Sequence, residues 1–183
     1  MKVSIGIGGA ASGRRRDFEE QTEFVVEADR LGVDAVWSAE AWGQDAVAPL
    51  AYLAAKTSRI RLGTGIMQVT ARTPVMTAMT ALTMAAITND RFILGLGNSG
   101  PQVVEGLHGV PFHAPLARMK EAVEIIRLAF AGEKIEYHGK YHELPNFCPR
   151  TFGELSYQAV RTLKKLRRRP TLITAFWKQA GLF

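Results

Sequence analysis

Residues 95 to 100 read Gly-Leu-Gly-Asn-Ser-Gly, which fits the spacing Gly-x-Gly-x-x-Gly. That spacing is the fingerprint of units that bind the pyrophosphate of a dinucleotide. The chemistry needs a helix directly after the glycines, and a second strand ending in an acid about 20 residues on. Here Gly106, Gly109 and Pro111 limit any helix that begins at Pro101. The stretch around Lys120 and Glu121 falls inside a helical pattern rather than at a strand end. The spacing therefore does not predict an NAD site. A second stretch, Arg72-Thr73-Pro74, has the form of a helix start, with Thr73 as N-cap and Pro74 at the first helical position. Such a start offers free N–H groups and the positive end of a dipole, which suits a phosphodiester. Arg72 either adds a charge there or is a solvated surface arginine, and Thr73 is either a ligand contact or only a cap. His108, His113, His138 and His142 have no metal-ligand spacing and are read as loop or surface residues. No paired carboxylates and no nucleophile constellation stand out. A hydride-transfer enzyme needs neither, because its cofactor carries the chemistry.

The elements that must position these residues follow a repeat. Short β-rich runs start at residue 2 (KVSIGIG), 35 (AVWSAE), 60 (IRLGTGI) and 91 (RFILGLG). Helical patterns fill the gaps. The first is predicted from Asp17, with Glu20 completing a capping box, to Gly32. The second runs from about Asp45 to Thr57, the third from Thr73 to near Asn89, and the fourth from Pro115 to Phe130. Strand and helix alternate four times, which predicts a parallel α/β sheet or barrel.

Three of the strands finish on paired glycines: Gly6 and Gly8, Gly63 and Gly65, Gly95 and Gly97. Side chains alternate between faces along a strand. One face is therefore bulky, and the other is bare near the C-terminal strand ends, where a parallel barrel places its active site. The expectation is a space cleared for a flat ring. The alternative is that each glycine marks a bulge or tight packing.

The segments RLGVDAVWSAEAWGQDA, the run from Arg59 to Phe112 and KIEYHGKYHELP resemble the bacterial luciferase-like monooxygenase family, and most of all its branch that uses the deazaflavin coenzyme F-420. The resemblance covers about residues 1–145 and implies a TIM-type barrel with FMN or coenzyme F-420 at the strand ends. It implies that Glu40 is the acid facing the ring, although an ordinary strand-end carboxylate is the plain alternative. It places Ala41 where a sugar-phosphate dehydrogenase branch often carries histidine, which puts that substrate class in doubt. It further implies a cis non-proline peptide at Gly65–Ile66 beside the ring. Gly8, Gly97, Asn98, Ser99 and Gly100 would then contact the cofactor, and Thr73, Val75 and Met76 would lie near its phosphate-bearing tail. The implied function is hydride transfer between coenzyme F-420 and a small organic substrate, with weak cofactor binding and little or no turnover expected of a chain that carries only four of the eight units. An FMN-dependent monooxygenase and a non-catalytic remnant are the alternatives.

Residues 146–183 differ from the rest. They hold eight Lys and Arg but one acid, Glu154, whereas residues 1–145 are almost neutral. The expected domain boundary is therefore at 145/146, with a barrel half before it and a basic tail of truncated or frameshifted character after it. An eight-unit barrel takes about 250 residues, so the four units here would leave open edges, and pairing of two halves in a homodimer is one way to cover them. The missing units would include the phosphate site that many barrels build after strands seven and eight, which favours coenzyme F-420 over FMN. The basic tail is not expected to bind nucleic acid specifically. No apolar run reaches membrane-spanning length, the N-terminus lacks a secretory pattern, and a lone cysteine, Cys148, fits a cytoplasmic protein.

Overall fold

A computed structural model describes residues 2–8, 15–132 and 134–145 of the chain. These all lie in the first of two units, Met1–Pro145, into which the chain divides. The elements are β1 (Ser4–Gly8), α1 (Arg15–Leu31), β2 (Ala35–Ala39), α2 (Val47–Ala54), β3 (Arg61–Thr64), β4 (Met67–Gln68), α3 (Pro74–Thr88), β5 (Phe92–Ile93), β6 (Leu96–Gly97), α4 (Pro101–Val104), α5 (Pro115–Phe130), β7 (Tyr137–His138) and β8 (Glu143–Leu144). Four strands form one parallel sheet in the order β1-β2-β3-β5. That is the arrangement of the first half of a TIM-type barrel. The described strands do not close on themselves.

Register explains the layering. Ile5, Val36, Leu62 and Phe92 lie in one row across the sheet. They pack with Val25, Leu50, Leu53 and Met84 from the helices. Leu50 and Leu62 are fully buried, each worth about 1.5–3 kcal/mol of transfer free energy. The next row, Gly6, Trp37, Gly63 and Ile93, belongs to the opposite face, which in a barrel points inward.

The helix bounds follow local chemistry. α1 begins at Arg15, two residues before the expected cap at Asp17, so Asp17 sits within the first turn. Arg15–Glu19 and Arg16–Glu20 pairs at 2.8 and 2.9 Å support the added turn, and Glu20 is used there rather than in a capping box. α2 is shorter than its pattern. Asp45 Oδ1 accepts from the Val47 and Ala48 N–H groups at 2.8 Å each and so caps its start. α3 starts as the sequence indicates, with Thr73 Oγ1 accepting from the Met76 N–H at 3.3 Å. It stops at Asn89, which takes the left-handed conformation at φ 53°.

The fourth predicted strand is broken in two. β5 pairs with β3, while β6 pairs in parallel with β4, a strand the sequence did not reveal. At the break the Thr64 hydroxyl donates to Gly95 O at 2.8 Å and accepts from the Gly95 N–H at 2.9 Å, standing in for a ladder bond.

At the N-terminal end of the sheet, the buried Asp29 and the half-buried Arg91 tie successive units together. The Asp29 carboxylate accepts from the N–H groups of Ser58, Arg59 and Ile60 at 2.6–3.0 Å. Burial pushes its pKa up, but these bonds outweigh that and hold it below the ordinary value. Arg91 donates to the carbonyls of Ala54, Thr57, Ile60 and Thr88.

The paired glycines are mostly places of close packing. A Cβ on Gly63 would lie 2.5 Å from the Trp37 ring, and one on Gly65 3.3 Å from Trp37 Cβ. One on Gly95 would lie 2.0 Å from Thr64 O. This corrects the reading of a wholly cleared face: Trp37 occupies much of the room that the third-strand glycines leave. Gly63→Ala is expected to cost about 1–3 kcal/mol by overpacking. Trp37→Leu in the same chain should recover part of the loss in urea denaturation. Additive losses would show that the ring does not occupy the glycine's space.

Candidate functional site

The C-terminal strand ends carry the polar groups. Glu40 directly follows β2, and its side chain is 9% exposed. Its carboxylate faces Arg72, which donates from Nη1 to Oε2 at 2.8 Å and from Nη2 to Oε1 at 2.7 Å. Such two-point pairing fixes the planes of both groups. Glu40 also accepts from the Gln68 N–H at 2.8 Å and from the Ala46 N–H at 3.4 Å. One carboxylate thus joins the ends of β2 and β4, the approach to α2 and the residue before the α3 cap. Arg72 is consequently not a solvated surface arginine: its guanidinium is paired with Glu40, and it also lines the groove described below. Glu40 is engaged on both oxygens.

Next to this pair, Ile66 packs against Gly97. A Cβ at Gly97 would lie 2.6 Å from Ile66 Cγ1. The Gly65–Ile66 peptide is cis, as the family resemblance implied. Asn98 Oδ1 and the Oε1 of the fully buried Gln68 have no hydrogen-bond partner. Ser99 is left-handed at φ 57°, and Gly100 is the cap residue of α4. Gly8 takes φ +87° with a bare Cβ position 3.1 Å from Ala39 O, so glycine is required there by backbone conformation as well as space. After Gly97–Gly100 come the single turn of α4 and then α5, with no second strand, so the dinucleotide reading has no support.

A groove of about 330 Å³ opens beside the same strand ends, lined among others by Thr70, Thr73, Arg118, Tyr141 and His142. The first turn of α3 faces it through Thr73 and Pro74. Arg118 Nε is buried without a partner, and its guanidinium lies 5.3 Å from the centre of the Tyr141 ring. Of the residues expected near a phosphate-bearing tail, Thr73 lines the groove. Val75 and Met76 do not, and Met76 is 53% exposed on the outer side of α3. Their places on the helix turn them away, since successive residues point about 100° apart.

The sequence missed Gln68, Arg118 and the hairpin β7–β8. Gln68 sits in a two-residue strand too short to carry a period. Arg118 looks like an ordinary helix arginine until Tyr141 is placed over it. His142, expected in a loop or on the surface, lies in the hairpin loop, where its side chain is 19% exposed and 3.1 Å from Glu121. The Tyr137 hydroxyl donates to Glu124 Oε2 at 2.5 Å. That bond, with burial and the charges of Glu124 and Glu121, pushes the phenol from 10.0 up to about 12. No group of three or more His, Cys, Asp or Glu able to hold a metal occurs among the described residues.

Parallel strands in chain order, helices on one face and polar groups gathered at the C-terminal strand ends define half of a (β/α) barrel with a ligand rim. The chain belongs to the luciferase-like monooxygenase family, whose family model matches residues 2–173 and so extends beyond 145 into the basic segment. It is 47% identical over 128 residues to a provisionally named coenzyme F-420-dependent oxidoreductase of Mycobacterium tuberculosis, covering 69% of this chain and 37% of that protein. It is 32% identical over 153 residues to an F-420-dependent glucose-6-phosphate dehydrogenase of Kineococcus radiotolerans, covering 76% and 45%. Among solved structures, a monooxygenase from Streptomyces bottropensis matches with a TM-score of 0.68 at 27% identity, over 83% of this chain and 50% of that one. The chain spans less than half the length of these curated relatives.

Two measurements check the site's physics. Arg72→Met leaves the buried Glu40 carboxylate uncompensated and is expected to cost about 3–5 kcal/mol. Adding Glu40→Gln should return a good part of it; a double-variant loss equal to the sum of the two single losses would show that the two groups are not coupled. Tyr137 has a raised folded pKa, so its contribution is complete below its unfolded value and is lost as pH climbs through the folded one. The urea midpoint advantage of the native chain over Tyr137→Phe should therefore hold at about pH 9 and shrink toward about pH 11. A constant difference would sink the assignment.

Proposed function

We propose that this chain forms the cofactor-binding wall of an oxidoreductase that passes a hydride between coenzyme F-420 and a small organic substrate. The observation that carries the proposal is the groove at the strand ends, where the start of α3 meets the partnerless Nε of Arg118. A helix start and a guanidinium both favour a phosphate. The residues present fit such a cofactor in a second respect. Gln68 Oε1 and Asn98 Oδ1 are buried acceptors without donors beside the Ile66–Gly97 contact, and a ring bearing N–H groups would satisfy them. The likeness to relatives named as F-420-dependent supports the choice of deazaflavin.

When bound, the deazaflavin supplies the hydride chemistry. The chain's own residues hold and orient it. Thr73 and Arg118 anchor the charged tail, while Gly97, Asn98, Ser99 and Gly100 border the ring. Ile66, packed on Gly97, would border the ring, with Gly65 and Gly8 shaping the backbone of the rim. Glu40 acts here mainly as a support: its carboxylate fixes Arg72 and the Gln68 backbone, and so the position of the α3 start. Ala41 in place of a histidine argues against a sugar phosphate as substrate. Flavin mononucleotide is the second reading, since its phosphate would suit the same groove and the Streptomyces bottropensis neighbour is a monooxygenase. No helix among the described residues is long and apolar enough to cross a membrane.

Fluorescence titration of the purified chain tests this. Saturable binding of coenzyme F-420 is expected, on the order of micromolar, about −8 kcal/mol. Gly97→Val should abolish it by displacing Ile66, and NADPH should show no saturation. Saturation by FMN with none by coenzyme F-420 would move the assignment to the flavin branch, and saturation by neither would sink it.

A further inference from the structure

The β7–β8 hairpin is so far only a wall of the groove. Its tip, residues 139–142, wraps one side chain of α5. Glu121 accepts from the Lys140 N–H at 2.8 Å and from the Tyr141 and His142 N–H groups at 2.9 Å each. The His142 ring lies 3.1 Å from the same carboxylate. Three successive N–H groups converging on one point form an anion-binding nest, and here the protein fills the nest with its own side chain. The fit is close: a Cβ on Gly139 would lie 2.6 Å from Glu121 Oε2. The Glu121 side chain is 12% exposed, so these bonds are sheltered from competition by water.

The clamp determines where two groove residues stand. Tyr141 follows directly from the held backbone. Its ring lies 5.3 Å from the Arg118 guanidinium on one side and 5.4 Å from the His113 ring, edge to face, on another. Glu121 and Arg118 are one turn apart on α5, so the same helix carries both the clamp and the cation that the clamped ring covers. A guanidinium stacked on an aromatic face keeps its in-plane N–H donors available for a ligand. Arg118 Nε, buried and partnerless, is one such donor.

We propose that Glu121 is a positioning residue of the anion groove: by clamping the hairpin tip it places Tyr141 over Arg118 and so presents the Arg118 guanidinium to a phosphate group held at the start of α3. The proposal rests on the phosphate reading given under Proposed function. It adds that affinity for the charged tail, and not for the ring, depends on a carboxylate that never touches the ligand.

The test compares the native chain, Glu121→Gln and Tyr141→Leu with two probes: coenzyme F-420, and a deazaflavin that lacks the phosphodiester tail. Inorganic phosphate serves as a third probe, followed through the amide NMR signal of Thr73. In Glu121→Gln an amide N–H₂ faces backbone donors, and the hairpin tip should loosen. Binding of coenzyme F-420 is expected to weaken about tenfold, with tail-free deazaflavin changed less than about twofold. Equal weakening for both deazaflavins would show a merely structural clamp and overturn the proposal. If the native chain binds neither deazaflavin, the cofactor assignment is wrong but phosphate still decides. A phosphate-induced Thr73 shift that weakens in Glu121→Gln supports positioning; an unchanged one, or none in the native chain, overturns it. If Glu121→Gln does not fold, Tyr141→Leu keeps the backbone clamp and removes only the ring. The same selective loss is then expected, and an unaltered ratio of the two deazaflavin affinities overturns the proposal.

Discussion

The ion pair between Glu40 and Arg72 is the constraint on which the strand-end region depends. Two buried charges gain only if their geometry is good and their remaining lone pairs are used. Here both conditions are met, with two short guanidinium bonds and two further backbone donors on one carboxylate. The pair therefore does more than neutralise charge. It brings four chain segments to one point and sets where α3 begins relative to β4 and β6. Arg72 of the pair lines the groove, and Gln68, held by Glu40, is two residues from Ile66. A shift of the carboxylate would move both.

Most of the architecture was legible from residues 1–145. Period-two runs, a proline at a helix start and glycine or asparagine at helix ends are local signals, and α3 and α5 have the bounds those signals give. Partnerships were not legible. Glu40 and Arg72 are 32 residues apart, and nothing in either neighbourhood points at the other. The context of Arg72, a helix start, leaves open an added charge for an anion or a solvated side chain, and the distant carboxylate that pairs with it is not visible from that context. Glycine parity did indicate the inward face. It did not show whether the space was for a ligand or for Trp37, because an absent side chain looks the same in both cases. The short strands β4, β7 and β8 have two residues each and carry no period at all.

Carboxylates placed under runs of backbone N–H groups recur in this chain. Asp29 does this for residues 58–60 and Glu121 for residues 140–142. Both side chains leave helices, and both organise a segment that has no ladder of its own. Burial opposes each charge, and the converging donors more than offset it, so each carboxyl is held below its ordinary pKa. The ends of the sheet thus differ in kind. At the N-terminal end the Asp29 and Arg91 side chains are spent on the protein. At the C-terminal end several acceptors and donors are left without internal partners.

The wiring at the N-terminal end also bears on how the chain is made. Asp29 holds the segment leading into β3, and Arg91, just before β5, reaches back to carbonyls of residues 54–60. In the four-stranded sheet each new strand pairs with one made some 30 residues earlier. No pairing among the described strands waits for a distant segment, so their loop-closure cost is met in small instalments. A chain leaving the ribosome can add one strand, cover it with a helix and tie it to its predecessor before the next strand emerges. The polarity of synthesis and the order of the sheet run in the same direction.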